Sequence, residues 1–147
     1  MEVFIAYTKT SDYMLLEKTL EAWDEGDTEP IAIECTARKY EIHRRVTAEN
    51  LASGDYVLAD IGYGPAVPDF GKVAAELLEK HPKAGIIGQG TKGLPKNVMI
   101  CRKGIVDKWP APRTQFYLTE HVEAYKIKGY KAFLCQQKLY HQLVSPC

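Results

Sequence analysis

The sequence lacks any long hydrophobic run. Of its 147 residues 46% are apolar, yet no stretch approaches the roughly 20 consecutive apolar residues that a membrane-spanning helix needs. The N-terminus carries no basic stretch followed by a long apolar one, so we expect neither a bilayer span nor a signal peptide. The length suits one domain of about 100–150 residues with its own core. We therefore expect a single cytoplasmic domain over residues 1–147.

Paired cysteines and phosphate-binding loops are also missing. Cys35, Cys101, Cys135 and Cys147 are widely spaced, and no two form the CxxC pair of a zinc knuckle or a redox dithiol. We expect these thiols to be reduced and partly buried. No glycine-rich loop of the P-loop or dinucleotide type is present, which argues against kinase and dehydrogenase functions.

The chain has no net charge, because 19 basic side chains balance 19 acidic ones. The charges are unevenly distributed, however. Residues 1–82 carry 8 Lys/Arg against 16 Asp/Glu, and residues 83–147 carry 11 against 3, which gives the two parts charges of −8 and +8. A basic part of this kind predicts an anionic partner, unless the two parts neutralise each other within one fold.

Short apolar runs alternate with amphipathic segments along the chain. Helices are predicted after the Asp12 N-cap through Trp23, over residues 40–52, after a cap at Asp69, and near residues 118–128. This alternation predicts an α/β fold with a Rossmann-like, mainly parallel sheet flanked by helices. Buried strands are predicted at residues 3–7, 31–35, 56–60, 84–88, 97–101 and 130–134.

Polar side chains follow three of these predicted strands. Tyr7 and Thr8 end the first, Glu34 and Thr36 lie at the end of the second, and Asp60 ends the third. Ligands of parallel sheets gather at the carboxyl ends of the strands. We therefore expect a binding site at this edge of the sheet.

Two groups of short motifs follow one another along the chain. The first joins Arg45 to residues 52–60, which contain Gly-Asp-Tyr and a strand that ends in Asp60. The second joins residues 118–123 to Lys-Gly-Tyr-Lys at residues 128–131 and then to His141. Together they resemble the family 2 glycosyltransferases of the GT-A fold, whose pattern has an arginine, Gly-Asp-Tyr, an Asp-x-Asp motif, a Glu-Asp helix, a Gly-Tyr-Lys strand and a trailing histidine.

The resemblance implies a nucleotide-diphospho-sugar transferase, with a UDP-sugar as the favoured donor. Residues 1–93 would bind the nucleotide sugar and residues 94–147 the acceptor. In the donor site, Tyr7 and Thr8 would contact a uracil-like ring and Glu34 would read the base. Arg45 would meet the diphosphate or fix the loop, and Asp60 would lie at the phosphates or the ribose.

The resemblance also implies a metal ion and a general base. Mg²⁺ or Mn²⁺ would neutralise the diphosphate leaving group, with Asp60 and His141 as ligands. Gly62 replaces the second acid of Asp-x-Asp, so Asp60 alternatively binds the donor ribose. An inverting transfer needs a base on the acceptor hydroxyl, which the resemblance assigns to Glu120 or to its neighbour His121.

The acceptor and the reaction class have alternatives. Basic residues of the C-terminal part suit a phosphate-bearing polymer as acceptor, with a modified DNA base as one instance. Asp69-Phe70-Gly71 with Glu76 as nucleophile resembles the signature of nucleoside 2-deoxyribosyltransferases, and a catalytically silent Rossmann-like binding module is the third possibility. The basic residues meant are Arg102, Lys103, Lys108, Arg113, Lys126, Lys128 and Lys131.

Overall fold

The structure is a computed structural model that describes residues 1–35, 51–105 and 125–143. Within these residues one helix follows the first strand and a second precedes the strand at Ala84–Gln89, as the apolar runs predict. Their order is β1 (Glu2–Tyr7), α1 (Tyr13–Asp24), β2 (Glu29–Glu34), β3 (Tyr56–Ala59), β4 (Tyr63–Pro65), α2 (Phe70–Lys80), β5 (Ala84–Gln89), β6 (Val98–Cys101), β7 (Lys131–Cys135) and β8 (Tyr140–Gln142).

Six of the strands form one sheet in the order β2-β1-β3-β6-β5-β7. β1 runs parallel to β2 and β3, and β5 runs parallel to β7, whereas β6 is antiparallel to both of its neighbours. A mainly parallel α/β sheet is thus confirmed, with one reversed strand that the sequence does not predict. β4 and β8 form a separate antiparallel pair, and their three residues each are too few to show a hydrophobic period.

Both faces of the six-stranded sheet are buried. Val3 and Ile5 of β1 contribute to one core cluster and Phe4 to the other, as the alternation of side chains along a strand requires. Leu16 and Trp23 of α1 cover the first face together with residues of α2. Sheet residues buried on both sides explain why the strands appear in the sequence as short continuous apolar runs.

The helices predicted after Asp12 and after Asp69 are confirmed as α1 and α2. Asp12 caps α1, because its side chain accepts hydrogen bonds from the backbone N–H groups of Met14 (3.0 Å) and Leu15 (3.2 Å). Residues 125–127 are helical, residues 51 and 52 are not, and the rest of the two other predicted helices lies outside the described ranges. No helix in those ranges is long and apolar enough to cross a bilayer.

The cysteines that the structure describes are Cys35, Cys101 and Cys135, and all three are buried and form no disulfide. The predicted burial is confirmed for them, and Cys147 lies outside the described residues. Burial raises the pKa of the Cys101 thiol strongly, and the neighbouring Asp55 adds to the shift. Burial also raises the pKa of Cys135. Both thiols therefore remain protonated and poorly nucleophilic near neutral pH.

The cap of α2 differs from the predicted one. Asp69 occupies the N-cap position, but its side chain makes no capping hydrogen bond. Asp27, from the loop after α1, accepts instead from the N–H groups of Gly71 (2.7 Å) and Lys72 (2.9 Å). The sequence favours a local cap because a partner 44 residues away leaves no local pattern.

Replacing Asp27 by Ala should therefore destabilise the protein more than replacing Asp69 by Ala. Loss of a capping carboxylate costs about 0.5–2 kcal/mol, and two N–H groups lose their partner in the Asp27 variant. The free energy of unfolding of the Asp69 variant should lie within roughly 0.5 kcal/mol of that of the parent protein. Urea unfolding of the three proteins measures both differences, and an equal loss in the two variants would contradict this assignment of the cap.

Candidate functional site

The strand order reverses at β1. The chain leaves β1 to form β2 on one side of it and later returns to form β3 on the other side. Such a reversal of strand order opens a crevice beyond the strand ends, where open α/β sheets bind their ligands. Tyr7 pairs in register with Glu34, and Asp60 lies one residue beyond the Ile5–Ala59 pair. The structure thus brings these three predicted donor residues to one edge.

The loop after β1 contributes hydroxyl groups to this edge. Tyr7 is half-buried and packs against the core cluster on the face that α1 covers. The Thr8 N–H donates to Ser11 Oγ (2.8 Å), and Thr8 Oγ1 lies 3.0 Å from Thr10 Oγ1. Asp12 already occupies two amides of the first turn of α1. Ligand contacts here would therefore come from hydroxyls and the Tyr7 ring more than from those two amides.

Helix α1 holds the turn that follows Asp60. The Thr19 hydroxyl donates to Leu15 O (2.7 Å) and accepts from the buried Gly62 N–H (2.9 Å). Trp23 Nε1 donates to Tyr63 O (2.9 Å). The Asp60 N–H itself donates to Asn97 O (2.8 Å). Asp60 is thus placed by a backbone that is fixed from both sides.

The conformation of Gly62 explains the missing second acid of the Asp-x-Asp pattern. Gly62 has φ of 95°, a backbone region that other residues adopt only with strain. A Cβ atom at this position would lie 3.5 Å from a methyl carbon of Leu15. An aspartate at position 62 would therefore be strained and would place its carboxylate beside an apolar side chain. The turn therefore carries its carboxylate at position 60, where neither this backbone strain nor the Leu15 contact arises.

Asn97 and Tyr140 also lie at this edge, and sequence reasoning missed both. Because β6 is antiparallel, it begins where the parallel strands end, so Asn97 stands beside Asp60. Asn97 has φ of 65°, which is uncommon outside glycine, and its Nδ2 donates to the Tyr140 hydroxyl (3.2 Å). Strained residues cluster at functional sites, but strain has no signature in a single sequence.

The Tyr140 phenol stays neutral at physiological pH. Burial raises its pKa, the hydrogen bond from Asn97 lowers it, and the nearby Tyr63 and Asp60 raise it further. Gln89, at the end of β5, fixes this segment, because its Oε1 accepts from the N–H groups of Leu139 (2.6 Å) and Tyr140 (3.0 Å). The phenol can thus serve as a hydrogen-bond donor or acceptor at a fixed position.

His141 lies in β8. It pairs with Gly64 in the β4–β8 ribbon and is exposed on the side opposite to its neighbour Tyr140. Its side chain lines a cavity of about 530 Å³ with Lys18 and Glu21 of α1, and Asp60 is not part of that lining. Within the described residues, no group of three or more His, Cys, Asp and Glu is placed to hold a metal ion.

Three predicted site residues lie outside the described residues: Arg45, Glu120 and His121. Their roles at the diphosphate and as general base stay predictions. Glu76, the nucleophile of the deoxyribosyltransferase alternative, is exposed on α2, whereas Ala74 and Leu78 of that helix are buried.

Arg102, the first of the predicted polymer-binding residues, is occupied within the fold. Its Nη2 donates to Leu78 O (2.8 Å) and His81 O (3.2 Å), and its Nε donates to Ala84 O (3.0 Å). These carbonyls belong to the carboxyl end of α2 and the start of β5. Arg102 therefore closes the end of a helix, where a cation is favoured.

The other described members of that basic set also lie on the side of the sheet where its parallel strands begin. We call this side the amino edge. Lys103 follows the reversed strand β6, while Lys126, Lys128 and Lys131 lead into or begin β7. This edge is opposite to the crevice. Lys108 and Arg113 lie outside the described residues.

Comparisons with known proteins support the fold and no more. No family model matches the sequence, and no curated protein does so either. A solved structure described as the crystal structure of A197 from STIV superposes with a TM-score of 0.56 at 13% identity. The superposition covers 98% of this chain and 85% of that one. At this identity the likeness extends to the α/β architecture.

Proposed function

We propose that the chain is a cytoplasmic glycosyltransferase of the GT-A type. It would transfer a sugar from a nucleotide-sugar donor, with UDP-sugars favoured, to an acceptor hydroxyl, with a modified DNA base as one candidate acceptor. The observation that carries this proposal is the reversal of strand order at β1, whose carboxyl edge carries Tyr7, Glu34 and Asp60. Its position is the one at which open α/β sheets bind nucleotides.

The crevice offers groups that suit a nucleoside. The half-buried Tyr7 ring provides an aromatic surface for the base, and the exposed Glu34 carboxylate lies directly across the strand pair from it. A carboxylate accepts a hydrogen bond from the single N–H of the uracil ring in UDP, which would read the base. The Thr8 hydroxyl adds a donor or acceptor at the same edge.

Asp60 is proposed to act at the ribose or the diphosphate. Mg²⁺ is commonly held by one or two carboxylates together with substrate phosphates and water, so a single carboxylate is compatible with the expected ion. When bound, such an ion would neutralise charge that develops on the leaving diphosphate. Asp60 fits this role through its fixed turn, whereas His141 lines a cavity to which Asp60 does not contribute.

Binding of UDP tests the donor site directly. We expect UDP to raise the melting temperature, because a ligand that binds the folded state at about 100 times its Kd adds about 2.7 kcal/mol of stability. Asp60→Asn should reduce this shift by more than half, and Mn²⁺ should enlarge it in the parent protein. Asp69→Asn is the matched control, since the Asp69 side chain is exposed and makes no capping hydrogen bond.

Release of UDP from UDP-sugars, with and without Mn²⁺, tests the reaction. If no donor is turned over and UDP does not stabilise the protein, the proposed transferase is contradicted. Stabilisation without turnover of any donor would favour the silent binding module. Release of free base from a deoxynucleoside, abolished by Glu76→Gln, would favour the deoxyribosyltransferase alternative.

A further inference from the structure

We propose that lysines at the amino edge of the sheet form a second binding surface, which holds the phosphate backbone of double-stranded nucleic acid. We name this surface the basic edge patch and define it by Lys80, Lys83, Lys126 and Lys131. It lies where the parallel strands begin, whereas the crevice lies where they end. The proposal does not depend on the transferase function.

Backbone hydrogen bonds gather these lysines. The Lys131 N–H donates to Lys83 O (2.8 Å), and Ala84 pairs with Lys131 where β5 and β7 begin. Lys126 belongs to the tight turn that leads into β7, in which its carbonyl accepts from the Gly129 N–H (2.9 Å). Lys80 ends α2, whose carboxyl end Arg102 ties to the start of β5.

The patch carries an excess of positive charge. All four lysine side chains are exposed. The acids described near these lysines are Glu76 and Glu79 of α2, with Glu76 one turn before Lys80, and Asp55, which accepts from the Lys103 N–H (2.9 Å). Arg102 offsets the negative end of the α2 dipole, so that the dipole does not cancel the lysines.

The acidic end of the same edge is remote. Glu2 and Glu29 begin β1 and β2, and three strand spacings of about 4.8 Å separate β1 from β5. The patch is therefore a local basic surface on a protein without net charge. Local fields of this kind bind polyanions regardless of the overall charge.

The side chains around the patch favour contacts with phosphates over contacts with bases. In residues 80–83 and 125–131, Tyr125 is buried, Tyr130 is half-buried, and the half-buried ring of His81 is stacked on Phe133, so no exposed ring there is available for base stacking. Single strands are usually held by such stacking, whereas duplexes are held through their backbone charges. Ile127 is 76% exposed but is one apolar side chain among lysines, too little to anchor the surface in a membrane.

The basic edge patch lies far from the residues of the proposed donor site. β5 has six residues and spans about 20 Å between the two edges of the sheet. A duplex on the patch is thus held well away from Tyr7, Glu34 and Asp60. The patch would keep a nucleic acid attached to the protein while the crevice holds a small ligand.

Fluorescence anisotropy with a short labelled DNA duplex of arbitrary sequence tests this inference. Binding should weaken steeply between about 50 and about 200 mM salt, because phosphate contacts release counterions. The double variant Lys83→Gln/Lys131→Gln should bind about tenfold more weakly at low salt and should lower the slope of log K against log salt by about 2. Lys18→Gln/Lys72→Gln removes the same charge from exposed positions elsewhere and should bind within about twofold of the parent protein.

Three results would overturn the proposal: no salt-dependent binding of the duplex, equal losses in the two double variants, or binding to phosphatidylserine vesicles without binding to the duplex. Melting curves of both variants show whether they are folded. Stabilisation by UDP should be the same in Lys83→Gln/Lys131→Gln as in the parent protein, so failure of the patch is distinguishable from failure of the proposed donor site.

Discussion

Trp23→Ala is expected to lower the free energy of unfolding by about 3–5 kcal/mol, the usual cost of truncating a large buried aromatic residue. Trp23 is 0% exposed and its ring meets that of Phe70 edge-on, with 4.9 Å between centroids. Its indole N–H also donates to Tyr63 O (2.9 Å). One side chain thus joins α1, α2 and the turn after Asp60, and all three lose contacts together.

Two control variants separate the parts of this effect. Trp23→Phe keeps an aromatic ring but loses the hydrogen bond to Tyr63 O, so it should cost clearly less than Trp23→Ala. Met14→Ala changes the same helix at a side chain that is 73% exposed and should stay within roughly 0.5 kcal/mol of the parent protein. Urea unfolding measures all three. A Trp23→Ala loss no larger than that of Met14→Ala would show that this packing is not formed.

Gly85→Ala is expected to cost about 3 kcal/mol, at the upper end of the range for overpacking a filled core. A Cβ atom on Gly85 would lie 2.1 Å from Cδ1 of Tyr125, far inside contact distance. The ring cannot move aside easily, because Tyr125 is 1% exposed and its hydroxyl donates to Arg102 O (3.0 Å). The strand and the helical turn at residues 125–127 would have to separate.

Gly54→Ala is the matched control for this prediction. No atom lies within 4 Å of a Cβ built at Gly54, and its φ is not in the left-handed region. The substitution should therefore be neutral or slightly stabilising. Thermal and urea unfolding measure the stability of the two alanine variants. Equal stability of the two would contradict the described contact between Gly85 and Tyr125.

The sequence predicts the strands of the main sheet well, for a physical reason. Strands buried on both faces need unbroken apolar runs such as residues 56–59 and 84–88, and these are visible without any tertiary information. The reversal of β6 is not visible, because the hydrophobicity of a strand is the same in either direction. Asn97 was missed as a site residue for that reason, since its place at the crevice follows from the reversal.

Contacts between segments that are distant in the sequence could not be predicted either. Tyr7, Glu34 and Asp60 could be placed at one edge because Tyr7 and Glu34 end recognisable parallel strands and Asp60 directly follows one. The cap that Asp27 gives to α2 and the bonds of Arg102 to the end of α2 depend on which loops meet in space. Arg102 was expected at a polymer surface because a sequence shows its charge but not the carbonyls that use it.

The pairing of β3 with β6 has a consequence for how the sheet assembles. It is the ladder from Tyr56–Cys101 to Ala59–Val98 that joins β2-β1-β3 to β6-β5-β7 within the six-stranded sheet. The first three strands come from the part of the chain with charge −8, and the other three from the part with charge +8. Opposite charges draw such pieces together over distances up to about a Debye length, before any ladder hydrogen bond forms. The two parts of this chain thus attract each other as a pair of partner proteins would, joined by one covalent link.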